Sequence, residues 1–144
     1  MIRLRLILIS ILGLTHAYTQ DINIDHFLSA LAQVETGVTR TGIGEIHGRW
    51  SLGKDGEVSC FQISPAVLSD LGISRHSSRI HRDPVYAESI ARLWLARIMG
   101  GNGDWHVAAA TWNAGRRGRQ SRQAQDYADR VVNLAQQLAK ESAQ

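Results

Sequence analysis

Apolar residues recur along most of this chain at spacings of three and four, and the places where that rhythm breaks divide it into helices. Ile24, Phe27, Leu28, Leu31 and Val34 mark a first amphipathic helix, with Asn23 or Asp25 as its cap and Gly37 as its stop. Over residues 38–59 the rhythm fails. Glycines and polar residues dominate there, which predicts a long loop with room for a small hairpin. Ser64-Pro65 is a helix start and Gly72 a stop, so a short helix is expected over residues 65–71. Asp83-Pro84 repeats the start signal, and Ala87, Ile90, Ala91, Trp94, Leu95 and Ile98 give the helix that follows one apolar face, ended by Gly100-Gly101. Asp104 caps a segment whose residues 107–114 are mostly small, suited to close helix packing, and Gly115 ends it. Beyond an arginine-rich turn, Ala124, Tyr127, Val131, Leu134 and Leu138 define a last helix, with a tail expected to fray from Lys140. The fold class expected is mainly α. No internal repeat, coiled-coil heptad run or low-complexity linker interrupts it.

One carboxylate sits awkwardly in this pattern. Glu35 follows Leu31 by four, which places it at the edge of the apolar stripe, in the last turn of the first helix. Burial and the negative end of the helix dipole would both favour its protonated form, which is how a general acid is made. An exposed last-turn glutamate is the alternative that this stretch alone leaves open.

The N-terminus reads as a targeting signal. Arg3 and Arg5 give a positive start, residues 6–14 are largely apolar, and Thr15-His16-Ala17 offers small residues where a signal peptidase cuts. Cleavage is expected after Ala17, with a single domain over residues 18–144 and a periplasmic or secreted location. The apolar run is too short to span a bilayer, which takes about 20 residues, so no stable membrane anchor is expected after cleavage; a retained anchor is the alternative. The full chain of 144 residues carries a formal charge of +3, with 16 basic against 13 acidic residues. Without Arg3 and Arg5 the balance is 14 against 13, near neutral, so no nucleic-acid partner is expected. Cys60 is the only cysteine, which excludes an intramolecular disulfide and suits a small buried apolar residue better than a nucleophile.

Common chemistries are missing. There is no glycine-rich phosphate loop, no GxSxG elbow and no metal-ligand spacing, so neither a cofactor nor a metal is expected. His76 and His81 fall in a polar stretch read as a solvated loop. A helical domain with one suspicious acid and a large loop suits carbohydrate cleavage, which needs a protonated carboxyl, a groove, and aromatic and amide side chains to hold a sugar.

Four blocks in order carry a resemblance: VETG at 34–37, GEVSCFQISP at 56–65, AATWNAG at 109–115 and QDYADRVV at 125–132. The series resembles the SLT-type lytic transglycosylases of the lysozyme-like superfamily. Their order is Glu-Ser-Gly, Gly-Leu-Met-Gln-Ile-x-Pro, Ala-x-Tyr-Asn-Ala-Gly, and a late tyrosine. The match spans residues 24–138. It implies a lysozyme-like helical domain with Glu35 as the catalytic acid, Gln62 and Asn113 as groove-lining amides, and Tyr127 as the tyrosine whose hydroxyl lies near the acid. Two departures alter the groove. Ser59-Cys60-Phe61 replaces Gly-Leu-Met, with Phe61 standing in as an apolar wall, and Trp112 replaces a tyrosine, leaving a ring that can stack on sugar but an indole that only donates.

The implied reaction is non-hydrolytic cleavage of peptidoglycan between N-acetylmuramic acid and N-acetylglucosamine, leaving a 1,6-anhydro-muramoyl end. A lysozyme that delivers water is the alternative, and Glu57 is the best second carboxylate for it, ahead of Glu45. A module that binds glycan without cleaving it is a reading from a different class. The expected partner is the glycan strand itself, with a secretion or cell-wall assembly as an open further partner and a monomer as the expected state. Trp94, at helical spacing, is expected in the core, whereas Trp50 and Trp105 are open between core and sugar platform. Arg116, Arg117, Arg119 and Arg122 suit either the carboxylates of stem peptides or a solvated basic loop.

Overall fold

The structure is a computed structural model, and it describes residues 22–42, 45–47, 52–74, 78–99 and 103–144. The leader expected over residues 1–17, together with Trp50 and His76, lies outside the described residues. Among those described there are six helices and one two-stranded sheet, so the architecture is mainly α.

The first helix, α1, runs Ile24–Thr36 and starts where its capping chemistry is best satisfied. The Asn23 side chain accepts from the His26 amide at 2.9 Å, and His26 Nδ1 accepts in return from the Asn23 amide. Gly37 ends it at φ 71°, a left-handed conformation that lets its N–H reach the Gln33 carbonyl. The antiparallel strands β1 (Thr39–Gly42) and β2 (Glu45–His47) follow, with an irregular register between Arg40 and Gly42. The hairpin option for this stretch is therefore the one realised.

Next come α2 (Pro65–Asp70), α3 (Ser78–Arg82), α4 (Pro84–Met99), α5 (Trp105–Gly118) and α6 (Arg122–Glu141). Ser64, Asp104 and Ser121 each cap the helix after them through a side-chain oxygen. Asp83 does the same for α4, accepting from the Tyr86 amide at 3.0 Å. Two sequence expectations change here. His81 lies in the short helix α3 rather than in a loop, because that stretch buries Ile80 completely. The C-terminal helix continues to Glu141, and the Ser142 hydroxyl lies 2.9 Å from His26 Nε2, which ties the tail to the start of α1.

Helix α6 packs against both α1 and α5. Small residues make this possible: Ala108, Ala109 and Ala110 on α5, and Ala124, Ala128, Ala135 and Ala139 on α6, are all buried, so the backbones approach closely. Phe27, Leu28 and Leu31 fill the space between, and Trp105 lies against Phe27 with ring centroids 4.9 Å apart. Trp105 is thus packed, partly buried, against the core and does not line the cleft that Glu35 faces. Phe27, Leu28 and Leu31, fully buried, each stabilise the fold by about 1.5–3 kcal/mol relative to exposure.

One polar cluster is built into this interior. Arg40, the inward residue of β1, grips the fully buried Glu88 of α4 with Nε and Nη2 at 3.1 and 2.6 Å, and Nη2 also reaches Asp25 at 2.8 Å. Arg92 binds the same two carboxylates. The periodicity marks Glu88 only as a neighbour of Ala87, so its burial was not expected. The cluster fastens the hairpin and α4 to the start of α1, and thereby fixes the helix that carries Glu35. Glu88→Ala should cost about 3 kcal/mol, because it removes the fully buried partner of Arg40 and leaves only the half-exposed Asp25 to compensate its charge. Urea unfolding measures it; a loss below about 1 kcal/mol would show the cluster to be ornamental.

Candidate active site

The site begins with the segment between β2 and α2. Val58 and Ile63 pair backbone to backbone at 3.0 and 2.9 Å, closing a tight turn over residues 59–62. Both ends of that turn are left-handed, Ser59 at φ 69° and Gln62 at φ 48°, which costs about 1–3 kcal/mol apiece for non-glycine residues. Burial offsets it: Val58, Cys60, Phe61 and Ile63 all point into the core. Two local bonds help, from the Phe61 amide to the Ser59 hydroxyl and from the Gln62 side-chain amide to the Ser59 carbonyl. Ser59 therefore occupies the position where the resembled motif has glycine, and it does so in a conformation that glycine adopts freely.

This turn is clamped from two sides. Thr36, at the end of α1, donates to the Cys60 carbonyl at 3.3 Å, and the Trp112 indole donates to the Phe61 carbonyl at 3.2 Å. Glu35 and Asn113, the neighbours of those two residues, consequently face the same space as Gln62. That space is a cleft of about 750 Å³ lined by Glu35, Glu57, Gln62, Trp94, Trp112 and Asn113, among others. Its volume is in the range of small-molecule and saccharide sites.

Glu35 lies half-buried in the cleft wall, and behind it Tyr127 of α6, almost fully buried, donates its hydroxyl to Glu35 Oε1 at 2.5 Å. Burial pushes the Glu35 carboxyl above its ordinary value, the Tyr127 hydrogen bond pulls it down, the charge of Glu57 pushes it up again, and the charge of Arg130 lowers it. The net direction is upward. Burial and the adjacent carboxyl push the Tyr127 phenol far above its ordinary range, so it stays a donor. Glu57 is held by the Asp55 amide, which donates to its Oε2 at 3.0 Å. Gly53 is packed so closely on Glu57 and Gln62 that a Cβ there would lie 2.1 Å from Glu57 Oε2 and 2.6 Å from Gln62 Oε1. Only glycine lets these two side chains share that wall.

Of the residues singled out in the sequence, Glu35, Gln62, Trp112, Asn113 and Glu57 line the cleft, and Tyr127 touches it through Glu35. Phe61 does not. It is fully buried and contributes its carbonyl to Trp112, because the turn carries residues 58–61 into the core and its left-handed end brings Gln62 to the cleft. Trp94 goes the other way. Read as core, it lies half-buried on the cleft, although Ile90, Ala91 and Leu95 of the same helix face are buried. Trp112 keeps its ring on the cleft, but its N–H is committed to Phe61. Glycine spacing gave no hint of the role of Gly53. Nor did the sequence mark Thr111, 3% exposed on the cleft wall, whose hydroxyl is the one buried side-chain polar atom without a hydrogen bond among the described residues.

Such an arrangement suits a proton donor: a carboxyl whose pKa is raised, bonded to a neutral phenol that can stabilise the carboxylate form. Comparisons of the chain with protein-family models, curated protein sequences and solved structures return no match.

Two stability measurements follow from this geometry. Because the folded-state pKa of Glu35 is raised, the native state holds its proton longer than the unfolded chain, and stability falls as pH rises above the ordinary carboxyl value of 4.5. Glu35→Gln should therefore be more stable than the wild type at neutral pH, and the gap should close on acidification below that value; a gap independent of pH would contradict the shift. Thr111→Val removes an unsatisfied hydroxyl and should raise Tm by about 3 °C. A lower Tm would mean that the hydroxyl is satisfied.

Proposed function

We propose that this chain is a peptidoglycan lytic transglycosylase with a lysozyme-like helical fold. The observation that carries the reading is the half-buried Glu35 carboxyl facing a saccharide-sized cleft with Tyr127 bonded behind it. The four sequence blocks supply the substrate class by resemblance, and the residues of those blocks that line or touch the cleft are consistent with it.

In this reading Glu35 protonates the glycosidic oxygen between N-acetylmuramic acid and N-acetylglucosamine, and the acetamido group of the muramoyl residue assists at the anomeric carbon. The N-acetylglucosamine side departs with the proton. Glu35, now a carboxylate stabilised by the Tyr127 hydroxyl, takes the proton from the muramoyl C6 hydroxyl, whose oxygen closes the 1,6-anhydro ring. The proton count balances, and one carboxyl serves both steps. Gln62 and Asn113 are the amides that would hold the sugar or its N-acetyl groups, and the exposed faces of Trp94 and Trp112 are stacking surfaces. Location in the periplasm or outside the cell rests on the N-terminal leader alone; no helix among the described residues is long and apolar enough to cross a membrane.

Hydrolysis is the second reading, and Glu57 is the observation in its favour. It lines the same cleft, and its charge acts on Glu35, as a second carboxylate that activates water would.

Mass spectrometry of peptidoglycan digested by the purified protein separates these readings. Products lacking the mass of water are expected, and Glu35→Gln should reduce their release about 1,000-fold or more while retaining the fold. Hydrated products that vanish in Glu57→Gln would favour a hydrolase. Wild-type turnover in Glu35→Gln, or none in the wild type, would end the catalytic assignment, and the second result would leave a glycan-binding module.

A further inference from the structure

Four arginines follow the Asn113-Ala114-Gly115 turn, and the fold treats them differently. Only Arg116 lines the cleft; Arg122 lies on the first turn of α6 within 3.9 Å of Asp126. The cause is a break in α5. Gly115 takes φ 69° and ψ 174°, a conformation essentially confined to glycine, so the backbone leaves the helical path there and brings Arg116 to the cleft rim instead of continuing around the helix. Most other arginines with described contacts are committed. Arg40 and Arg92 are bound into the Glu88 cluster, Arg79 to Asp83, and Arg97 to the Asp70 carbonyl. Arg116 is exposed and forms no ion pair or hydrogen bond among the described residues, and the same holds for Lys54, which lines the cleft from the segment that carries Glu57 and Gln62.

Two uncommitted cations on a cleft are hard to reconcile with a ligand that is only neutral sugar. The cleft's own carboxylates do not use them: Glu57 is fastened by the Asp55 amide, and neither it nor Asp70 is ion-paired with Arg116 or Lys54. In peptidoglycan the muramoyl residues carry peptides through their lactyl groups, and those peptides have free carboxylates. A planar guanidinium matches a carboxylate in two-point geometry, and a cleft wall reduces the screening that weakens such pairs in open water.

We propose that Arg116, with Lys54, is a specificity-determining residue that binds a free carboxylate of the peptide borne by a muramoyl residue in the cleft. The inference deepens the transglycosylase reading and rests on it. Arg117, Arg119 and Arg122 have no part in it.

The test compares two substrates: glycan strands with their peptides intact, and the same strands stripped of peptide by an amidase. Arg116→Ala should lower kcat/KM about fivefold on peptide-bearing strands, through KM, and leave the stripped strands unaffected. Arg116→Lys should recover part of the loss, and the preference of the wild type for peptide-bearing strands should shrink as salt is added. An equal loss on both substrates, or a loss on neither, overturns the proposal while the transglycosylase reading stands. A wild type that cleaves neither substrate overturns that reading, and this proposal with it.

Discussion

The hydrogen bond between Tyr127 and Glu35 joins the last helix to the end of the first across 92 positions of sequence, and the site has no meaning without it. A carboxyl in a water-poor wall is costly to ionise and so keeps its proton to higher pH, but the reaction proposed for it also requires the same group to exist as a carboxylate. The phenol answers the second requirement. It favours the charged form enough to offset part of the burial, while its own deprotonation is suppressed by the same surroundings. For the two groups to meet, α6 must lie tightly on α1, which is why the buried neighbours of Tyr127 on α6 are Ala124, Ala128 and Val131 rather than larger side chains.

Around that contact the protein separates rigid support from strained presentation. Support comes from the helices and from the Arg40, Glu88, Asp25 and Arg92 cluster, which locks the first strand and α4 to the start of α1. Presentation comes from the segment over residues 53–63, where two left-handed non-glycine residues and a crowded Gly53 hold Gln62 and Glu57 on one wall. The strain is tolerated because the turn buries Val58, Cys60, Phe61 and Ile63 in the core. The segment is anchored to both α1 and α5 by single hydrogen bonds from Thr36 and Trp112, so the acid, the amides and the aromatic faces form one assembly.

Much of this was legible in the chain. Helix starts at Ser64-Pro65, Asp83-Pro84 and Asp104, and stops at Gly37 and Gly72, follow from capping chemistry that acts over three or four residues, and local chemistry survives folding. The break at Gly115 was marked too, though the chain goes on for one more turn. The residues that misled are those whose environment is set by distant partners. Phe61 and Trp94 exchanged roles, since whether an aromatic side chain faces core or cleft depends on what packs opposite it and not on its spacing. The burial of Glu88 has no local signal, because nothing nearby in sequence announces that Arg40, 48 positions earlier, will meet it in the interior.

The sequence by itself determined the helical rhythm, the caps and breaks, and the suspicion attached to Glu35, because each rests on interactions within a turn or two of chain. Tertiary structure alone decided that Glu35 is half-buried beside a phenol, that Gly53 leaves no room for a side chain, and that Arg116 rather than its three arginine neighbours reaches the cleft. Those outcomes depend on which surfaces exclude water together, and that is a property of packed elements and not of any one of them.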